Sequence, residues 1–76
     1  MRAKRLYWVL SFDTTQQALA WEKRCAAQGV PGRLIPLPRE ISAGCGLAWR
    51  VLPEDWSAWQ ARLAGIPYAQ AIEIEL

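Results

Sequence analysis

Histidine is absent from this chain of 76 residues, and cysteine occurs only twice, at Cys25 and Cys45. Without an imidazole, one chain cannot assemble a cysteine–histidine hydrolase, and two thiols are too few for a zinc site. The sequence therefore implies no metal and no cofactor. No stretch approaches the roughly 20 apolar residues of a membrane span, and the run at residues 6–10 is too short for a signal peptide. We expect a cytoplasmic protein whose thiols stay unpaired.

The charge is small but unevenly distributed. The net charge of +2 is too low to make the chain a nucleic-acid binder by itself. Eight of the nine basic residues lie within residues 1–50, and four of the seven acidic residues lie beyond them. A thiolate at Cys45, or an anionic partner, would therefore meet a mildly positive setting. A domain this short can spare little core for an enclosed site, so any chemistry should lie on an exposed loop or on a face shared with a partner rather than in a complete, self-contained active site.

Apolar patterning predicts four strands and two helices. A helix over residues 15–28 has a capping box at its start, formed by Thr14 with Gln17, and a natural stop at Gly29. A second helix opens at Pro53 with acidic residues in its first turn, and it ends at Gly65. The predicted strands are residues 6–12, 33–37, 46–52 and 68–76.

This order of elements predicts one α+β domain over residues 1–76, a ferredoxin-like βαββαβ sandwich. Its four-stranded antiparallel sheet has the order 4-1-3-2, with two helices on one face. Pro36 cannot donate to a strand ladder, so its strand belongs on an edge. Because the third strand lies beside the first, we expect Cys45 near residues 12–15 and the N-terminus of the first helix.

The loop that ends in Cys45 is the candidate functional site. Gly44 and Gly46 flank the cysteine, so the backbone can bend there and nothing bulky shields the sulfur. A helix N-terminus and the guanidinium of Arg39 both favour a thiolate, which is the reactive form. Ser42 can donate a hydrogen bond to the sulfur or cap the turn. The alternative is that Cys45 is a small packed residue without chemistry.

Residues 33–48 carry a motif in which Ile-Pro-Leu-Pro-Arg-Glu is followed by Cys-Gly. This motif resembles the signature of a bacterial family of selenium/sulfur carrier-like proteins, and the similarity extends over about residues 7–70. The resemblance implies that Cys45 carries sulfur or selenium between donor and acceptor proteins. Family members usually have an aliphatic residue in place of Cys25, which implies a packing role for that cysteine.

Two other functions are compatible with the same topology. RNA-recognition modules stack bases on aromatic residues of the first and third strands, and Tyr7 and Trp49 invite that comparison. Residues 46–51 do not match the usual third-strand motif, so nucleic-acid binding is not favoured. An interaction module is the stronger alternative, because the sheet face with Tyr7 and Val9 looks too apolar to stay bare. That face would bind a partner or form a homodimer.

Overall fold

The computed structural model describes residues 4–42 and 44–76. Met1, Arg2 and Ala3, and Ala43 of the candidate loop, lie outside the described residues. Within these residues, two helices and four strands follow one another in the expected order: β1 (Leu6–Ser11), α1 (Thr15–Gln28), β2 (Arg33–Pro36), β3 (Leu47–Val51), α2 (Pro53–Trp59) and β4 (Gln70–Glu75). The second helix is shorter than predicted. It ends at Trp59 and tightens into a 3₁₀ helix, Gln60–Leu63, before the chain turns at Gly65.

All three strand pairings of the sheet are antiparallel. The hydrogen-bonded order is β2-β3-β1-β4, which is 4-1-3-2 when counted from the β4 edge. β2 lies on the other edge, where the missing N–H of Pro36 costs no ladder hydrogen bond. The small α+β architecture is confirmed, while its assignment to the ferredoxin-like group stays a prediction.

Helix α1 begins and ends as its sequence predicts. The backbone N–H of Gln17 donates to Oγ1 of Thr14 at 3.1 Å. The backbone N–H of Asp13 donates to Oε1 of Gln17 at 2.9 Å. In the usual capping box this donor is the N-cap residue, here Thr14, one residue later. At the other end, Gly29 has a left-handed φ of 72°, which suits a residue without a Cβ. Both ends of α1 therefore follow from the residues that flank it.

Both helices pack on one face of the sheet around Trp21, which is fully buried. The ring centroid of Trp21 lies 6.0 Å from that of Phe12, 6.5 Å from that of Trp56 and 5.6 Å from that of Tyr68. Large aromatic side chains let a short chain bury much apolar area. Cys25 lies in the same cluster with no exposed surface, in agreement with a packing role.

The opposite face of the sheet, called here the far face, is not bare. Val9, Ala48 and Ile74 form a second buried cluster there. Ile41, which comes from the loop between β2 and β3, completes this cluster and is only 4% exposed. The chain therefore covers this part of the face with its own loop, where a partner was expected to do so, and binding of a partner or a second copy by the rest of the face stays a prediction.

Among the described residues, no helix is long and apolar enough to cross a membrane.

Candidate functional site

Two backbone hydrogen bonds hold the end of the loop that carries Cys45. The N–H of Cys45 donates to the carbonyl oxygen of Phe12 at 3.0 Å, and the N–H of Leu37 donates to that of Gly46 at 2.9 Å. Phe12 is three residues before the first residue of α1. Cys45 therefore lies beside the start of α1, where the topology predicts it.

The glycines on either side of Cys45 both have positive φ, 156° at Gly44 and 96° at Gly46. A Cβ at Gly44 would lie 3.3 Å from the side chain of Leu37 and 3.5 Å from the carbonyl oxygen of Phe12. At Gly46 a Cβ would meet no atom within 4 Å, so only the backbone conformation favours glycine there. Both neighbours are exposed and have no side chain, so no bulky group stands next to Cys45 in the chain.

The sulfur of Cys45 is half-buried and packs against the cluster beneath the helices. Its Sγ lies 3.9 Å from the carbonyl oxygen of Leu47, a long contact in which the thiol donates. A carbonyl oxygen only accepts hydrogen bonds, so the hydrogen of the thiol is directed at Leu47 in this contact. The sequence does not predict this contact.

Arg39 and Ser42 are exposed on the loop, on either side of buried Ile41. The N–H of Ile41 donates to the carbonyl oxygen of Pro38 at 3.0 Å, and this turn directs Ile41 onto the far face. The structure thus places Cys45 and its two flanking glycines beside Phe12. The sulfur donates its hydrogen bond to Leu47, and not to Arg39 or Ser42.

Ile41 is the residue of this region that sequence analysis misses. Its signal in the sequence is a single aliphatic side chain between Glu40 and Ser42, in a loop rich in proline and glycine. Only the fold shows that this side chain anchors the loop.

The aromatic pair that suggests RNA binding does not form one surface. Trp49 pairs with Leu10 and is buried beneath the helices. Tyr7 points to the far face, where the guanidinium of Arg50 covers its ring at 4.8 Å from the centroid. Base-stacking platforms need exposed aromatic residues on one face, so the structure contradicts the comparison made on Tyr7 and Trp49.

Residues 7–73 match the model of the family described as "Putative Se/S carrier protein-like". The chain belongs to this family. No curated protein and no solved structure matches the chain. The matched segment contains the whole loop with Cys45, and the name of this carrier-like family implies partner proteins in general.

The two thiols of this carrier-like protein are both free, but their settings differ. Burial raises the pKa of the Cys25 thiol from 9.0 to about 11, because the charged form would lose its hydration. Cys25 therefore stays protonated through neutral pH and to about pH 10 in the folded protein. It has neither the access nor the charge that a nucleophilic thiol needs.

We predict that iodoacetamide at pH 8 modifies Cys45 in the native state at least about 100-fold faster than Cys25. Peptide mass spectrometry after timed quenching measures both rates in one sample. In denaturant the two rates should converge, since the difference comes from burial. Equal native rates would contradict the assignment of Cys25 to the core and of Cys45 to the surface.

Proposed function

We propose that Cys45 carries a sulfur or selenium atom on its thiol and passes it from a donor protein to an acceptor protein. The observation that supports this most is the contrast between the two thiols. Cys45 is half-buried between two exposed glycines, whereas Cys25 is fully buried. With the family description, this makes Cys45 the candidate cargo site. The free thiols suit a reducing compartment, and we place the protein in the cytoplasm.

In the proposed loading step, the thiolate of Cys45 attacks the outer sulfur of a donor persulfide. A sulfur–sulfur bond forms at Cys45 while the bond between the two donor sulfurs breaks, and the donor leaves as a thiolate. The proton on the transferred sulfur goes with it, so no oxidant or reductant is consumed. In delivery, an acceptor thiolate attacks the outer sulfur on Cys45, and Cys45 leaves as a thiolate. For a selenium cargo, selenium takes the place of the transferred sulfur.

The other loop residues have supporting roles in this proposal. Gly44 and Gly46 leave room for the added atom and for the approach of a donor thiol. Arg39 is exposed and carries a positive charge, so it can attract an anionic persulfide to the loop. Ser42 can donate a hydrogen bond to the bound atom when the loop closes on a partner.

We expect incubation with glutathione persulfide to add one sulfur atom to the wild-type protein. Cys25→Ala should be loaded to the same extent, whereas Cys45→Ser should lose loading entirely. Intact-mass measurement after removal of the donor reads the product directly. Subsequent addition of dithiothreitol should release the atom as sulfide.

Loading at Cys25, or equal loading of Cys45→Ser, would contradict the proposal. If native Cys45 accepts no sulfur, the interaction module becomes the better account. Light scattering across a range of concentrations then tests the homodimer, to which the exposed part of Ile72 on the far face offers apolar surface.

A further inference from the structure

Two arginines lie close together at the end of the sheet opposite to Cys45. Arg33 begins β2 and Arg50 lies near the end of β3, whereas Cys45 precedes the start of β3. A shallow cavity of about 250 Å³ opens there, and its lining includes Tyr7, Arg33, Arg50 and Asp55. We call it the arginine cavity.

The two arginines are directly opposite each other in the pairing of β2 with β3. Like charges at opposed positions of an antiparallel pair are destabilising, so an anion bound between the two arginines would relieve their repulsion. The ring of Tyr7 holds the guanidinium of Arg50 in place at 4.8 Å. Arg33 is exposed at the rim of the cavity.

The guanidinium groups keep their hydrogen-bond donors available. In the described part of the chain, the side-chain hydrogen bonds are those of Thr14, Gln17 and Cys45. Each guanidinium presents a planar fork of donors that matches the oxygen atoms of carboxylate or phosphate. Two such forks on neighbouring strands can donate to more than two oxygen atoms and balance two negative charges. A single carboxylate has only two oxygen atoms and one charge.

We propose that the arginine cavity binds a doubly charged tetrahedral oxyanion of the phosphate class, held between Arg33 and Arg50. The volume of the cavity is below that of most pockets for drug-sized ligands, which fits a small anion or a small phosphate ester. Asp55 also lines the cavity. Its carboxylate cannot contact phosphate oxygens favourably, but it can accept a hydrogen bond from a hydroxyl group attached to the phosphate.

Two sources of the oxyanion are therefore distinguishable. Free inorganic phosphate uses the two arginines alone, whereas a hydroxylated phosphate ester also uses Asp55. Nitrogen-15 NMR titrations with inorganic phosphate and with glycerol 3-phosphate compare the two, at constant ionic strength set by sodium chloride. Acetate serves as the singly charged control.

We expect saturable shifts at the backbone amides of residues 32–33 and 50–52 with either phosphate compound, and much weaker binding of acetate. Arg33→Ala and Arg50→Ala should each weaken binding by about tenfold or more, the effect of one charged hydrogen-bonding partner. Arg62→Ala is the matched control, because Arg62 also covers an aromatic ring, that of Trp59, at 5.2 Å, but lies outside this cavity. It should change binding by less than about twofold.

Tighter binding of glycerol 3-phosphate, with the difference lost in Asp55→Asn, identifies a phosphate ester as the ligand class. Equal binding identifies free phosphate. No saturable shift, or equal weakening by Arg62→Ala and Arg50→Ala, overturns the proposal. Cys45→Ser should leave phosphate binding unchanged, so this test is independent of the carrier function proposed for Cys45.

Discussion

Replacing Gly32 by alanine should destabilise the protein by about 2–6 kcal/mol, the largest effect that we expect from one added methyl group. A Cβ at this position would lie 2.5 Å from Nε1 of Trp49 and 2.8 Å from the carbonyl oxygen of Arg50. Trp49 is 4% exposed and has little room to move. The steric overlap costs about 1–3 kcal/mol, and the φ of 133° adds about 1–3 kcal/mol of backbone strain.

Gly29→Ala is the matched control for Gly32→Ala. Gly29 also has a positive φ, 72°, but a Cβ there would meet no atom within 4 Å. Only the backbone cost of about 1–2 kcal/mol should remain. Urea unfolding followed by tryptophan fluorescence measures both variants, and the total stability to compare with is about 4–11 kcal/mol. Equal destabilisation would show that the overlap of the added methyl group with Trp49 does not contribute to the free energy of unfolding.

Most secondary structure could be predicted from the sequence, because local rules determine it. The cap at Thr14, the stop at Gly29 and the edge position of Pro36 each follow from the chemistry of one or two residues. The 3₁₀ ending of the second helix is different, since no residue between Trp59 and Gly65 marks the change.

The failures of sequence analysis concern long-range packing. The loop position of Ile41 gives no periodic pattern, so its burial on the far face depends on the turn at Pro38. The opposition of Arg33 and Arg50 depends on strand register, which a sequence does not display. The contact of the Cys45 sulfur with the carbonyl of Leu47 likewise arises from the local bend.

The structure separates two kinds of chemistry along β3. Cys45, the thiol proposed to carry sulfur or selenium, precedes β3, and the arginine cavity lies near the other end of this strand. The strand itself is central in the sheet and strongly buried, with Ala48 and Trp49 at 0% and 4% exposure. A rigid strand between them lets either site be altered without changing the other, which the variants proposed above require.

Ile41→Ala should destabilise the protein by about 2–4 kcal/mol and raise the alkylation rate of Cys45 several-fold. The side chain is 4% exposed and completes the cluster with Val9, Ala48 and Ile74. Removing three of its carbon atoms deletes apolar contact and leaves a cavity, for which 2–5 kcal/mol is the usual range. Because Ile41 is the buried anchor of the loop, its loss should also let the Cys45 segment open locally.

The control for this prediction is Ile72→Ala on the same face of the sheet. Ile72 is 36% exposed, so its truncation should cost only about 1 kcal/mol and leave the Cys45 rate unchanged. Ile41→Val, expected to cost about 0.5–1.5 kcal/mol, gives a milder variant if the alanine protein does not fold. Urea unfolding and timed iodoacetamide labelling are measured on the same samples. If Ile41→Ala behaved like Ile72→Ala in both, the loop would be held by its backbone hydrogen bonds at Cys45 and Leu37 rather than by the Ile41 side chain.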